Sequence, residues 1–279
     1  MNTTVRPPAV AGLFYPGDPE ALRAVIDADL AEVGAQVGDR SAATPDPDTR
    51  RRSTPKALIV PHAGYVYSGP VAASAYARLA PVAASITRVV LLGPAHRVPV
   101  EGMAVPAVDG FATPLGIVAI DDEARRRALT CRGVHRNDRA HADEHSLEVH
   151  LPFLQRVLGL EGWSVLPVVV GQAEADDVAD LLDALWGGPE TLIVVSTDLS
   201  HYHDAATASR LDARTARAVV ERDTDHLDPS DACGAYPLRG LLVAARRHEL
   251  PIHLLDLRTS ADTAGGPQRV VGYGAFTVG

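Results

Sequence analysis

Three short apolar segments of the sequence, each rich in β-branched residues, are followed within a few positions by a histidine. The histidines are His62, His96 and His201, and Asp198 lies shortly before the last of them. Imidazole binds transition metals and exchanges protons near neutral pH, and a carboxylate can orient it. These residue types favour metal binding or acid–base chemistry if the fold brings them together. The segments are Ala57–Val60, Arg88–Leu92 and Thr191–Ser196.

The same three segments are typical of strands that are buried on both faces, as in a parallel sheet covered by helices. In open α/β sheets, ligands bind beyond the carboxyl ends of the strands. A single histidine after a strand is more often a hydrogen-bonding loop residue than a ligand. Three histidines at equivalent positions favour one shared pocket, which would contain His62, His96 and His201 with Asp198 beside them.

Cys233 directly precedes a predicted helix and is a further candidate for this pocket. A thiol at a helix N-terminus is shifted toward the thiolate, which binds metals and attacks electrophiles. The alternative is that Cys233 is simply a small buried hydrophobic residue. Cys131 lies in an Arg-rich stretch without a comparable context, so we assign it no role.

The segment from His141 to His150 is the densest polar cluster of the sequence. His141, Glu144 and His145 match the pattern H-x-x-E-H of inverted zinc proteases, but so short a pattern arises easily by chance in a His-rich segment. Asp143 is better explained as the N-cap of a helix that begins at Glu144. We therefore expect Glu144 and His145 in a first helical turn, with His145 within reach of the pocket and His150 as a structural hydrogen-bonding residue.

Strand-like and helix-like segments alternate along most of the chain, which is typical of a doubly wound α/β domain. We predict a single α/β domain over residues 1–279, with a mostly parallel, buried central sheet and helices on both faces. The Ser-, Thr-, Pro- and Asp-rich stretch 38–55 predicts a flexible surface loop. The other predicted strands are Ser164–Val170, Ile252–Arg258 and Arg269–Val278, and the predicted helices are Pro19–Gly34, Gly69–Leu79, Glu144–Leu158, Ala173–Trp186, Ala205–Arg222 and Gly234–Arg247.

Composition narrows the classes of function. The net charge of −9 argues against a nucleic-acid partner, since such surfaces need clustered positive charge. Two cysteines in 279 residues favour a reducing compartment over a disulfide framework. The N-terminus has no apolar stretch of a signal peptide, and no segment approaches the ~18 apolar residues of a membrane span. We therefore expect a cytoplasmic protein without a membrane partner.

Several segments, taken together and in this order, resemble the motifs of the Memo family, which in prokaryotes is also called AmmeMemoRadiSam system protein B. The resemblance extends from about Arg6 to the C-terminus, and its most specific parts are PHAGY, EHSLEVHLP and TDLSH. The segments are PAVAGLFYP at 8–16, PHAGYVYSG at 61–69, LGPAH at 92–96, TPL at 113–115, EHSLEVHLP at 144–152, STDLSHY at 196–202, Cys233-Gly234 and GYGAFT at 272–277.

This resemblance implies the fold of class III extradiol dioxygenases, which cleave aromatic rings at a non-haem Fe(II). It also implies a metal site in which His62, His96 and Cys233 are the ligands. Fe(II) is the first expectation for the ion, and two imidazoles with a thiolate also suit copper or zinc. The dioxygenases have a carboxylate as third ligand, so a thiolate at this place puts ring cleavage in doubt.

The resemblance further implies that Asp198 and His201 are the pocket's acid and base, with Glu144 and His145 as a second pair. Memo proteins are described as iron- or copper-binding redox proteins, and a redox-type metal protein is the function we expect first. The alternatives are an extradiol-type dioxygenase acting on a small aromatic substrate and a non-enzymatic module that binds a small molecule or peptide in the same cleft. The family name also implies an association with a radical-SAM protein.

Overall fold

A nine-stranded sheet forms the centre of the protein in the computed structural model, which describes residues 4–38 and 55–279. Its strands run in the order β10-β12-β2-β9-β3-β8-β4-β7, and β11 pairs with β12. A second, three-stranded sheet has the order β1-β5-β6. The strands are β1 Val5–Arg6, β2 Ala57–Val60, β3 Arg88–Pro94, β4 Met103–Val105, β5 Gly110–Thr113, β6 Gly116–Ala119, β7 Val134–Arg136, β8 Ser164–Val170, β9 Thr191–Ser196, β10 His201–His203, β11 Ile252–Thr259 and β12 Val270–Val278.

The predicted α/β fold is confirmed, and four parallel strands form the middle of the sheet. These are β2, β9, β3 and β8, whereas β12 joins β2 and β4 joins β8 in antiparallel pairings. Successive side chains of a strand point to opposite faces. Thus Leu58 and Val60 enter one apolar core, and Ala57 and Ile59 enter the other.

Helices cover both faces of the sheet. Helices α1, α2 and α6 supply apolar side chains to the core that contains Leu58, and α7, α8 and α9 supply the core that contains Ile59. The helices are α1 Pro19–Gly38, α2 Tyr65–Tyr76, α3 Asp122–Ala128, α4 Asp138–Ala142, α5 His145–Glu148, α6 Leu151–Leu158, α7 Ala175–Leu185, α8 Ala205–Glu221 and α9 Ala235–Arg247.

The predicted helix Glu144–Leu158 is wrong, because the structure divides it into α5 and α6. Pro152 has no N–H to donate to the carbonyl of Glu148, so the helix cannot continue through this point. The N-cap prediction also changes: the carboxylate of Glu144, not that of Asp143, accepts the N–H of Ser146 at the start of α5.

The other differences concern the ends of elements. Helix α1 continues to Gly38, past the predicted end at Gly34, and α2 begins at Tyr65, before Gly69. Strand β3 extends to Pro94 because Gly93 and Pro94 still pair with β8. Most of the predicted loop 38–55 lies outside the described residues. Among the described helices, none combines the length and apolarity that crossing a bilayer requires.

Candidate metal centre

Three imidazole rings converge at the carboxyl ends of the parallel strands. His62 follows β2, His96 follows β3, and His145 is the first residue of α5. One ring nitrogen from each lies within 4.8 Å of those of the other two. The ring of His96 stacks on that of His145 at 4.7 Å between centroids, and the ring of His62 lies 5.1 Å from His96 and 5.5 Å from His145. Such a cluster of imidazole nitrogens is a set of donors for a transition metal.

The hydrogen bonds of His62 determine which of its ring nitrogens is free. Nδ1 lies 2.6 Å from Oγ of Ser196, and that hydroxyl donates to the carbonyl of Ser146 at 2.6 Å. The hydroxyl has one proton, so it accepts from Nδ1–H of His62. Nε2 of the buried His62 ring therefore carries the lone pair. Burial and the neighbouring histidines lower the pKa of His62 well below its ordinary value, which keeps the ring neutral.

His96 is oriented by the carboxylate of Glu144. The backbone N–H of His96 donates to Oε2 at 2.6 Å, and its Nδ1–H donates to Oε1 at 2.9 Å. This leaves Nε2 of His96 as the lone-pair nitrogen, the arrangement that metal-binding histidines commonly share. Burial alone would raise the pKa of Glu144, but the hydrogen bonds that its carboxylate accepts from His96 and Ser146 lower it to about 2.

His145 has no such partner. Its Nδ1 is buried and makes no hydrogen bond, although Oε1 of Glu144 lies 3.4 Å away without hydrogen-bond geometry. Burial lowers the pKa of His145 to about 4, so the ring is neutral at pH 7. The ring of Phe14 covers it at 4.7 Å between centroids. The ring of His145 adds a third imidazole nitrogen to those of His62 and His96, and such a set of donors fits a bound cation.

Cys233 lies beside His62, as its predicted role requires. Its Sγ is 3.3 Å from Nε2 of His62 and accepts the backbone N–H of Asp198 at 3.2 Å. Gly234 allows this approach, since a Cβ there would lie 2.5 Å from the carbonyl oxygen of Ser196. The expected thiolate is wrong for the protein alone: burial and the charge of Asp198 raise the pKa of the Cys233 thiol. A coordinated metal reverses this preference, because it deprotonates a ligand thiol.

Asp198 and His201 also lie at this end of the sheet, but they do not hydrogen-bond each other among the described residues. The carboxylate of Asp198 accepts the backbone N–H of His62 at 2.7 Å. Burial raises the pKa of Asp198 to about 7. Burial lowers the pKa of the half-buried His201, and its hydrogen bond goes to the carbonyl of Leu199. Asp198 therefore does not orient His201; it fixes the loop that carries His62.

Residues 6–277 match the family described as Memo-like protein. The chain belongs to the Memo family. A MEMO1 family protein of Aquifex aeolicus is 35% identical to it, covering 96% of this chain and 97% of its own length. Another, from Ignicoccus hospitalis, is 36% identical over 97% of each chain.

A solved structure shares the Memo fold at low sequence similarity. An uncharacterized protein of Escherichia coli K12 superposes with a TM-score of 0.50 at 13% identity, covering 78% of this chain and 98% of its own. At this identity the likeness concerns the fold alone.

The structure assembles the site of this Memo protein with one difference from the sequence-based ligand set. The resemblance implied His62, His96 and Cys233 as ligands, whereas the group whose ligand atoms lie within 4.8 Å of one another consists of His62, His96 and His145, with the thiol of Cys233 next to His62. Sequence reasoning placed His145 with the acid–base residues. It missed Ser196, which ends β9 and fixes the tautomer of His62. Its position at a strand end, two residues before Asp198, was the available signal.

Proposed function

We propose that this Memo protein is a metal-dependent redox protein that holds iron or copper at the histidine cluster. The observation that carries the proposal is the orientation of the rings. Two of the three imidazoles, His62 and His96, have Nδ1 hydrogen-bonded, so that Nε2 keeps its lone pair, and a ring nitrogen of His145 lies within 4.8 Å of theirs.

The donor set suits such an ion. Imidazole nitrogens from His62, His96 and His145, with the thiol of Cys233 as a fourth donor, match the preferences of Fe(II), copper and zinc. Bound iron or copper would supply one-electron chemistry, whereas zinc would not. A thiol near the ion is itself oxidisable, which gives the site a second group that responds to oxidants.

The side chains around the cluster have separate tasks in this proposal. Glu144 and Ser196 hold the rings of His96 and His62 in one tautomer. His201 is neutral near pH 7 because burial lowers its pKa, so it is suited to accept a proton from a ligand in the cleft. Asp198, with a pKa of about 7, can hold a proton near neutral pH.

Metal analysis of the purified protein tests the proposal. Wild-type protein loaded anaerobically with Fe(II), or with Cu(II), should retain about one ion per chain after gel filtration, and His62→Ala and His96→Ala should lose it. His253→Ala, at an exposed histidine of β11, is the matched control and should bind as the wild type does. The copper form should show nitrogen hyperfine coupling in its electron paramagnetic resonance spectrum. Equal metal content in wild type and His62→Ala would overturn the proposal.

An extradiol-type dioxygenase is a second candidate, favoured by the aromatic wall that Phe14 forms over His145. An aromatic substrate could pack on this ring while it approaches the ion. The test is oxygen uptake by the Fe(II)-loaded protein with a panel of catechols. Absence of turnover, together with ligand binding that does not depend on metal, would instead favour a peptide- or small-molecule-binding module. Association with a radical-SAM protein stays a prediction that co-purification can test.

A further inference from the structure

A second cavity lies directly behind the wall of the metal centre. It has a volume of about 430 Å³ and lies between the N-terminal segment and helices α1 and α2. Most of its lining is apolar, as exemplified by Leu13, Val25 and Val66. Leu13 is 80% exposed and Val66 is 64% exposed. Phe14 belongs to both sites, because it lines this cavity and covers the ring of His145.

One carboxylate interrupts this apolar lining. Asp29 of α1 lines the cavity, and its Oδ2 is buried without a hydrogen-bond partner. The oxygen is held against the backbone of Gly69, where a Cβ would come within 2.5 Å of it. Among the described residues no cationic side chain pairs with Asp29, whereas its neighbour Asp27 pairs with Arg156 at 2.8 Å. The negative charge of Asp29 is therefore uncompensated within this part of the fold.

A second acceptor lies along the same wall. Pro70 is inside helix α2 and has no N–H to donate to the carbonyl of Val66, four residues earlier. Val66 and Pro70 both line the cavity. The carboxylate of Asp29 and the Val66 carbonyl, which lacks its i+4 donor, are both hydrogen-bond acceptors. A ligand that donates hydrogen bonds would complement them.

We propose that this cavity binds a primary amine that carries an apolar or aromatic body. The ammonium group would pair with Asp29 and offer its remaining N–H groups to the carbonyl of Val66, and the body would pack against the apolar lining. An ammonium has three donors and one positive charge, which complement these two acceptors. Because Phe14 is shared, the occupant would lie next to the histidine cluster. The cavity itself needs no metal, so the proposal stands independently of the redox function.

Calorimetric titration with matched probes tests this at pH 8 on the full chain without added metal. The probes are 2-phenylethylamine, 2-phenylethanol and 3-phenylpropanoate, which differ mainly in the charge of one end. The amine should bind about tenfold more tightly than the alcohol, and the carboxylate should bind most weakly. In Asp29→Asn the preference for the amine over the alcohol should fall to within twofold.

Two more variants distinguish the effect of the Asp29 charge from a general change in the helix or the cavity. Glu20→Gln removes an exposed carboxylate from the same helix and should leave the amine preference unchanged. Val25→Phe fills the cavity and should weaken the amine and the alcohol alike. Equal binding of amine and alcohol to the wild type, no binding at millimolar probe, or unchanged amine binding by Asp29→Asn would each overturn the proposal. Loss of metal by His62→Ala without loss of amine binding would show that the two sites fail separately.

Discussion

Replacing Glu144 by glutamine should weaken metal binding without removing any ligand. The carboxylate accepts three hydrogen bonds, from the backbone N–H and Nδ1–H of His96 and from the N–H of Ser146. An amide has one acceptor oxygen, so its NH2 group must face a donor in at least one of these contacts. With the amide oxygen at the Oε1 position, the ring of His96 keeps an acceptor but loses the carboxylate charge, and the NH2 group faces the backbone N–H of His96. In the opposite orientation the ring loses its acceptor.

The expected loss of metal affinity follows from the role of Glu144 as the partner that orients His96. Loss of the group that orients a metal-binding histidine typically costs 10–100-fold in affinity, which corresponds to about 1.4–2.8 kcal/mol. Competition between the protein and a chromophoric chelator for Zn²⁺ or Co²⁺ measures this directly. Glu161→Gln is the control, since Glu161 is an exposed carboxylate of a surface turn. An affinity of Glu144→Gln within twofold of the wild type, with an unchanged circular dichroism spectrum, would refute the assigned role of Glu144.

Three other perturbations have defined outcomes. Glu148→Ala should cost about 3–5 kcal/mol of unfolding free energy in urea melts, because it leaves Arg6 buried without its 2.6 Å partner; a loss below about 1 kcal/mol would contradict this. Burial lowers the pKa of His150 to about 3 in the folded protein, below the value of about 6.5 in the unfolded chain. Because the unfolded chain binds the proton first as the pH falls, the folded protein loses stability below about pH 6.5. His150→Gln should therefore flatten the dependence of unfolding free energy on pH between 6.5 and 4, and an unchanged slope would count against it. Gly234→Ala should cost about 1–3 kcal/mol, since its Cβ would meet Thr197 Cβ at 2.7 Å; a melting temperature equal to that of the wild type would disprove the clash.

The central strands could be predicted from the sequence because burial on both faces leaves a continuous apolar run. Strands β2, β8 and β9 begin and end where their apolar segments do. The short strands could not be found in this way. Met103–Val105 and Val134–Arg136 have three residues each, too few for a periodic pattern, and they exist because they pair with each other and because β4 also pairs with β8.

The site residues, like the strands, differ in how far the sequence predicts them. His62 and His96 were predictable because each follows a strand end, and the sheet order brings neighbouring strand ends together. The sequence also placed His145 within reach of the pocket, but not in the ring cluster, because that position depends on a helix that stops after four residues. In the continuous helix predicted from Glu144 to Leu158, His145 would be one residue of a first turn. Its contact with the other rings depends on non-local packing of α5 against β3 and β9.

The short helix α5 connects the metal centre to the N-terminal segment. Its last residue, Glu148, is fully buried and accepts hydrogen bonds from Arg6, the backbone of Ala9 and Val10, and the hydroxyl of Tyr15. Isolated, a helix of four residues would not be stable, so these contacts must hold it in place.

The same contacts explain how Phe14 is held over the ring of His145. They fix the chain on either side of Phe14, whose carbonyl accepts the N–H of Tyr65 at 2.7 Å and whose ring covers His145. A buried nitrogen without a partner, as in His145, costs about 1–3 kcal/mol. The fold can bear this cost only because the buried charge network around Glu148 anchors the helix that carries the ring. The arrangement holds the ring of His145 beside two imidazoles whose ring nitrogens lie within 4.8 Å of one of its own, which is what binding a metal ion requires.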